Sequence, residues 1–209
     1  MILIGQYDSP FVRRVAVALR EYPLDYEHRP WSVWAQADAI GPWNPLRRVP
    51  VLVLDGGEAL LESAAILDAL DELVGPGRAL IAARGAERRA TLRVCALATG
   101  LADKAVSLLY ERVLRPGEAR SAVWMERCAR QIADVLDVLE ADREARPGDF
   151  WFGRLTHADV AVACALRFLG EAHPSLLEAP TYPALRAHAA RCEALPSFAA
   201  VVQALHVAV

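Results

Sequence analysis

Cysteine, long apolar runs and excess positive charge are all scarce in this sequence of 209 residues, and each scarcity excludes a class of protein. No stretch approaches the roughly 18 consecutive apolar residues that a membrane-spanning helix needs. The first residues lack the basic segment and the apolar run of a secretory signal peptide. The net charge of −3 excludes a polybasic protein that binds nucleic acid. We therefore expect a soluble cytoplasmic protein.

The four cysteines, Cys95, Cys128, Cys164 and Cys192, are far apart, and none belongs to a Cys-x-x-Cys pair. Such spacing excludes the usual zinc sites and predicts reduced, buried thiols that act as small apolar side chains. The five histidines also lack the spacing of metal ligands, so we predict no bound metal. We place these histidines at the surface: His28, His157, His173, His188 and His206.

The first 75 residues alternate short β-type runs with helical patterns. The apolar run at residues 1–5 predicts a strand, and a second strand is predicted at residues 26–29. Between them, apolar residues spaced three and four apart over residues 12–19 predict an amphipathic helix. Ser9 and Pro10 suit the N-cap and the first position of this helix.

A second unit of strand, strand and helix follows. A short helix is predicted at 32–40, and strands at 50–54 and 58–61 form a hairpin around a Gly-containing turn. Ser63 then caps another helix. Because the first βαβ unit demands a parallel pair and the hairpin is antiparallel, we predict a mixed sheet of four strands.

The Gly- and Pro-rich segment at 74–77 ends this first domain, which we place at 1–75, and it opens a linker at 76–85. Every pattern beyond the linker is helical, so we predict an all-helical domain over 86–209. Thr156 and Asp159 have the spacing of a capping box for a central helix that is apolar on nearly all sides. The other predicted helices lie at 86–114, 118–145, 182–194 and 197–206.

Four short segments occur in an order and spacing that are specific as a set. They are Ser9-Pro-Phe-Val-Arg-Arg-Val, Asn44-Pro-Leu-Arg-Arg-Val-Pro50, Leu61-Glu-Ser-Ala-Ala-Ile66 and Thr156-His-Ala-Asp159. Through them the chain resembles the glutathione S-transferases over essentially its whole length. This resemblance implies an α/β domain of the thioredoxin-like kind followed by an all-α helical bundle. It also implies a homodimer that uses glutathione as co-substrate, without a metal, nucleic acid or membrane partner.

The resemblance further implies that Ser9 activates the thiol of glutathione. Only a thiolate is a strong nucleophile, and a hydroxyl that donates to the sulfur favours the thiolate. The free N–H groups and the positive dipole end of a helix start act in the same direction. Tyr7 is the alternative activating hydroxyl, because some classes of the family use a tyrosine near the end of the first strand.

The remaining glutathione contacts are also implied by resemblance. The Val49–Pro50 bond is expected to be cis, with the backbone of Val49 pairing with the cysteinyl part of the tripeptide. Ser63 and its N–H are expected to bind the γ-glutamyl carboxylate, and Glu62 the α-ammonium group. Arg48 either reaches the glycyl carboxylate or is a solvated surface charge.

A pocket for the second substrate is expected beside Ser9. The residues predicted to line it are Tyr7, Phe11, Tyr110 and Arg112. Arg112 either meets an acidic substrate or is solvated. Arg13 and Arg14, in the first helix, are predicted to be solvated or to face a dimer partner.

Three alternative functions stay in view. An isomerase of the zeta type also uses serine, but its loop carries a Ser-Ser-Cys run where this chain has Tyr7-Asp8-Ser9-Pro10. A thiol–disulfide reductase of the omega or beta type would need cysteine at position 9, whereas the first cysteine here is Cys95. A non-catalytic binding or scaffold module of the same fold is the third alternative.

Overall fold

Residues 1–178 and 181–207 are described by the structure, a computed structural model. They divide into two compact units. The first contains Met1–Arg88 together with the chain end from Leu195, and the second contains Arg89–Ala194. The domain limits predicted from the sequence stay a prediction. The residues from Leu195 onward belong to the first unit, although their helical pattern gave no indication of this.

A four-stranded mixed sheet forms the centre of the first unit. Its strands are β1 (Ile2–Ile4), β2 (Glu27–Arg29), β3 (Val51–Val53) and β4 (Ala59–Leu61), in the spatial order β2-β1-β3-β4. β1 pairs parallel with β2 and antiparallel with β3, and β3 pairs antiparallel with β4. The predicted mixed sheet and its thioredoxin-like layout are thereby confirmed, with each strand shorter than expected.

Two long helices of this unit begin where the sequence predicted. α1 (Pro10–Glu21) is capped by Ser9, whose hydroxyl accepts a hydrogen bond from the N–H of Val12 at 3.4 Å. The short helix α2 (Ala37–Ile40) follows α1, and α3 (Ser63–Val74) packs against α1. The N-cap of α3 is Glu62 and not Ser63 as predicted, since Ser63 is already the first helical residue.

The helix predicted at 32–40 is only four residues long, because side chains before it compete with helical hydrogen bonds. The hydroxyl of Ser32 accepts from the N–H groups of Trp34 and Ala35 at 3.1 and 3.4 Å. The side chain of Gln36 in turn accepts from the N–H of Ser32 at 2.8 Å. These bonds hold residues 32–36 in turns.

A buried hydrogen-bond network fastens the segment after α3 to the first unit. The hydroxyl of Tyr22 donates to the carboxylate of Asp71. The N–H of Leu80 donates to both groups, with its nitrogen 3.0 Å from the Tyr22 hydroxyl oxygen and 3.2 Å from Oδ1 of Asp71. Arg88 also pairs with Asp68 at 2.9 Å. These contacts explain why the first unit extends as far as Arg88.

Helices make up the second unit. They are the later part of α4 (Gly85–Leu114), α5 (Ala122–Glu144), α6 (His157–Ala172) and α7 (Pro183–Glu193). Within residues 89–178 and 181–194 there is no strand, in agreement with the predicted helical bundle. None of the helices in the described ranges is both long and apolar enough to cross a lipid bilayer.

The helix predicted at 197–206 is wrong in extent. Only α8 (Pro196–Ala199) is helical, and it belongs to the first unit. Arg13 donates from Nε to the Val201 carbonyl at 3.0 Å and from Nη2 to the Phe198 carbonyl at 3.3 Å. A continuing helix would need the Val201 carbonyl as an acceptor for its own backbone. This carbonyl instead accepts from the Arg13 side chain of α1, so the helix does not continue.

The capping box before α6 is confirmed. One carboxylate oxygen of Asp159 accepts from the N–H and the hydroxyl of Thr156, at 2.8 and 2.7 Å. The other oxygen accepts from the N–H of Trp151 at 2.7 Å. Asp159 and Thr156 are completely buried, so these bonds hold the loop before α6 inside the second unit.

All four cysteines are buried and none forms a disulfide bond, as predicted. The surface placement of the histidines is wrong for three of them, because His157, His173 and His188 are at most 4% exposed. His173 donates from Nε2 to the Ala105 carbonyl at 2.9 Å, which leaves Nδ1 to accept from Arg112 at 2.9 Å. Hydrogen bonding of a neutral imidazole therefore permits its burial.

We expect the free energy of unfolding to fall as the pH drops from 7.5 to 5.5. Burial lowers the pKa of His173 and of His188, and Arg112 lowers the pKa of His173 further. Below about pH 6.5 the unfolded chain binds more protons than the folded one, so stability present above that pH is lost below it. The loss is at most about 1.4 kcal/mol per imidazole over this interval.

Urea unfolding at the two pH values measures this loss. A His173→Gln variant should lose less stability than the wild type on acidification. Equal losses in the two proteins would contradict the role of His173.

Candidate functional site

Three loops of the first unit meet at one edge of the sheet. Ile4 lies opposite Val51, and Val51 lies opposite Leu61. β1 and β4 therefore end at the same edge where β3 begins, so the loop after β1, the loop before β3 and the turn after β4 are neighbours. The predicted glutathione-binding residues on these loops are Ser9, Arg48, Val49, Pro50, Glu62 and Ser63.

Gly5, directly after β1, brings two of these loops into close contact. Its φ is +130°, and a β-carbon there would lie 2.5 Å from Cγ2 of Val12 and 2.8 Å from Cβ of Val49. Only glycine fits between the side chain of Val12, in the first turn of α1, and the side chain of Val49. Gly5 is not among the predicted site residues, although a glycine at a strand end is a signal for such a close approach.

The Val49–Pro50 peptide bond is cis, as the resemblance implied. Asn44 holds the loop that leads to it. Its side-chain amide donates to the Arg48 carbonyl at 2.9 Å, and its carbonyl oxygen accepts from the N–H of Leu46 at 3.0 Å. Asn44 is only 2% exposed, so it fixes the course of the backbone into Val49. Asn44 belongs to one of the family segments but is not among the predicted site residues.

Glu62 occupies the N-cap of α3 with a φ of +63°, a left-handed conformation that is uncommon for a residue with a side chain. Its carboxylate lies 3.7 Å from the guanidinium group of Arg48. Both side chains are more than half exposed, so this ion pair adds little to stability and leaves both charges accessible to a ligand. Ser63, the next residue, is buried at the helix start.

Both helix starts at this edge favour negative charge. α1 and α3 carry no acidic residue in their first turns. The unpaired N–H groups and the positive dipole ends of the two helices are therefore not neutralised by an acid of their own first turn. An anion or a thiolate at this edge would be stabilised by both.

Tyr7 has its hydroxyl directed to β2. This hydroxyl lies 2.8 Å from the Tyr26 hydroxyl, and the Tyr7 ring stacks on His28 with centroids 3.9 Å apart. His28 in turn donates from Nε2 to the Gly5 carbonyl at 2.8 Å. Burial, and then the hydrogen bond with Tyr26, raise the pKa of Tyr7.

The predicted substrate-pocket residues fall in both units. Phe11 is half-buried in the first turn of α1. Tyr110 and Arg112 lie late in α4, in the second unit, where Arg112 is bonded to His173. A pocket that these residues share with Ser9 stays a prediction.

The prediction that Arg13 and Arg14 are solvated is wrong. Their exposed fractions are 1% and 5%. The guanidinium group of Arg13 bonds to two carbonyls of the chain end and lies 5.6 Å from the ring centre of Phe198. The sequence showed two charges on an amphipathic helix, but only the fold supplied the carbonyl groups that permit the burial of Arg13.

Among the described residues, no group of His, Cys, Asp or Glu side chains is arranged to hold a metal ion. The candidate site comprises backbone groups at two helix starts, the cis peptide, the Ser9 and Ser63 hydroxyls, and one carboxylate–guanidinium pair.

Both parts of the chain are similar to known protein domains. Residues 3–78 match the model of the glutathione S-transferase N-terminal domain, and residues 122–191 match that of the C-terminal domain. YibF, an uncharacterised GST-like protein of Escherichia coli K12, is 30% identical over 169 residues, which cover 81% of this chain and 82% of YibF.

Two solved structures are also similar. A glutathione S-transferase of Methylobacterium radiotolerans, in complex with glutathione sulfonate, aligns with a TM-score of 0.90 at 31% identity over 100% of this chain and 97% of the other. A glutathione transferase family member of Pseudomonas fluorescens Pf-5, with bound glutathione, aligns with a TM-score of 0.84 at 33% identity over 96% and 97%.

Proposed function

We propose that this chain, which belongs to the glutathione S-transferase family, binds glutathione and activates its thiol for attack on a small electrophile. The observation that carries the proposal is the convergence of the Ser9 loop, the cis Val49–Pro50 bond and the start of α3 at one sheet edge. The glutathione-bound relatives at 31% and 33% identity support it.

The binding groups follow from the charges of glutathione, which has two carboxylates and one ammonium group. Ser63 and the N–H groups at the start of α3 receive the γ-glutamyl carboxylate, and Glu62 receives the α-ammonium group. The backbone N–H and carbonyl of Val49 pair with the cysteinyl part of the tripeptide. Arg48, which directly precedes Val49, receives the glycyl carboxylate in this proposal.

The thiol of glutathione lies at the start of α1 in this proposal. Lowering its pKa by about 2 units requires roughly 2.7 kcal/mol of preferential stabilisation of the thiolate. The positive end of α1 contributes up to about 2 kcal/mol, and the Ser9 hydroxyl, as donor to the sulfur, contributes the rest. The thiolate sulfur then attacks the electrophilic carbon, forms a C–S bond and expels a leaving group or generates a carbanion that takes up a proton.

Tyr7 is the weaker candidate for activation. Its hydroxyl is bonded to Tyr26, and its raised pKa disfavours the tyrosinate. Tyr7 therefore belongs to the wall of the site in our proposal, with Phe11, Tyr110 and Arg112 as the other lining residues. We also propose a cytoplasmic homodimer, by family resemblance.

Calorimetric titration with glutathione tests the binding step. We expect the wild type to bind glutathione and Glu62→Gln to bind it about 10-fold more weakly, because the ammonium group loses a charged partner. Glu58→Gln, which removes an equal charge from the exposed turn of the same hairpin, is the matched control and should bind like the wild type.

The catalytic step is tested with a panel of electrophiles, assayed with and without glutathione. Glutathione-dependent loss of an electrophile supports the transferase, whereas rearrangement without a stable conjugate supports the zeta-type isomerase. A wild type that shows no heat of glutathione binding would contradict the proposal and favour a scaffold module.

A further inference from the structure

The end of the chain lies against the loop that carries Ser9. The N–H of Tyr7 donates to the side-chain oxygen Oε1 of Gln203 at 3.0 Å. The N–H of His206 donates to the carboxylate of Asp8 at 3.2 Å. The two residues immediately before Ser9 are therefore both bonded to the chain end, although about 200 residues separate them in sequence.

The chain end is anchored two residues before Gln203. Arg13 donates to the carbonyls of Phe198 and Val201, and all three residues are at most 1% exposed. Arg13 lies in the same helix that Ser9 caps, and its own N–H donates to the Ser9 carbonyl at 2.9 Å. The anchor therefore joins the chain end to the helix whose start forms the proposed thiol site.

We propose that Gln203 is a positioning residue for Ser9: its side-chain oxygen fixes the Tyr7 amide and thereby the loop that aims the Ser9 hydroxyl at the glutathione sulfur. The inference rests on the proposed function. It assigns to the chain end, which the sequence suggested was an ordinary last helix, a part in thiol activation.

The geometry of the loop explains why one acceptor has this effect. The loop from Gly5 to Ser9 is short, and its internal backbone bond joins the Ser9 N–H to the Gln6 carbonyl at 3.2 Å. The Tyr7 N–H points instead to Gln203. Without that acceptor the Tyr7 peptide can rotate toward water, and the hydroxyl two residues later shifts with it. Activation by a donor falls steeply when the donor is displaced by about 1 Å.

Gln203→Met tests the proposal, because methionine keeps the length of the side chain but provides no oxygen. We expect kcat to fall about 3- to 10-fold and the pKa of bound glutathione to rise, with the KM for glutathione changed less than twofold. Gln203→Glu keeps an oxygen acceptor and should retain kcat within about threefold. Val202→Ala, at an adjacent exposed position, is the control for a general disturbance of the chain end.

Amide exchange gives a measurement that does not depend on turnover. The Tyr7 N–H should exchange about 10-fold faster in Gln203→Met than in the wild type, and slowly in Gln203→Glu. Wild-type kcat and thiol pKa in an active Gln203→Met protein would overturn the positioning role, as would equal losses in the Met and Glu variants.

Failure of the proposed function can be distinguished from failure of the positioning role of Gln203. The wild type itself would not bind glutathione, and the exchange rates alone would decide the loop contact. Unchanged Tyr7 exchange in Gln203→Met would then overturn the inference.

Discussion

Replacing Ser9 with alanine is expected to slow glutathione conjugation about 10- to 150-fold. The variant loses a hydroxyl donor to a charged sulfur, and a hydrogen bond to a charged group contributes about 1.5–3 kcal/mol. At about 1.36 kcal/mol per decade of rate, this loss corresponds to the stated range. The N–H groups and the dipole of α1 remain, so catalysis is reduced and not abolished.

The same variant should raise the pKa of bound glutathione by about one to two units, because the thiolate is stabilised less than before. The pKa is measured from thiolate absorbance as a function of pH. Glutathione affinity should change less than the rate, since Val49, Glu62 and Ser63 lie on other loops. Ser9 also caps α1, so thermal unfolding of the variant must be recorded to separate a capping loss of about 1 kcal/mol from the loss of activation.

Tyr7→Phe is the matched control, because it removes the other hydroxyl of the same loop. We expect the thiol pKa to stay unchanged in this variant, since the Tyr7 hydroxyl is bonded to Tyr26. A raised thiol pKa in Tyr7→Phe with an unchanged one in Ser9→Ala would identify Tyr7 as the activating residue. If neither variant moves the pKa, the helix start alone activates the thiol.

Asp159→Ala is expected to lower the free energy of unfolding by about 3–5 kcal/mol. The carboxylate is fully buried and accepts three hydrogen bonds, two from Thr156 and one from the Trp151 N–H. Its removal leaves three buried donors without this acceptor, and each orphaned group costs about 1–3 kcal/mol before the structure relaxes. The expected loss is a large share of the 5–15 kcal/mol that stabilises a typical domain.

Urea unfolding followed by circular dichroism measures the effect. Asp134→Ala, which removes an exposed carboxylate from α5, should change stability by less than about 0.5 kcal/mol. Asp159→Asn keeps one oxygen acceptor and should lie between the alanine variant and the wild type. A loss below about 1 kcal/mol in Asp159→Ala would show that the box is a peripheral cap and not an internal support of the second unit.

Elements with strong local signals were predictable from the sequence. The hydroxyl of Ser9 caps α1 because serine before proline suits that position in any context. α3 begins at Ser63, and the Thr156–Asp159 box forms as its spacing predicts. The four cysteines are buried because small apolar side chains leave water wherever a core is large enough.

The candidate site was predictable only in part. The segments around Ser9, Val49–Pro50 and Glu62–Ser63 were identified through resemblance, and the sheet register brings them to one edge. The role of Gly5 was missed because it depends on Val49, which lies far away along the chain. Asn44 bonds within its own loop, to Arg48 and Leu46, so the Asn-Pro turn signal at this position was the local cue for its role.

Local sequence was sufficient to predict the helix starts after Ser9 and Thr156 and the apolar runs of the strands, since each depends on groups within a few positions along the chain. The tertiary structure alone decided the surroundings of the polar side chains. Arg13 and His173 are buried because distant carbonyl groups accept their hydrogen bonds, and Gln203 reaches Tyr7 because the chain end folds back onto the first unit. A polar group is buried only where a partner compensates for lost water, and that partner is fixed by the fold and not by local sequence.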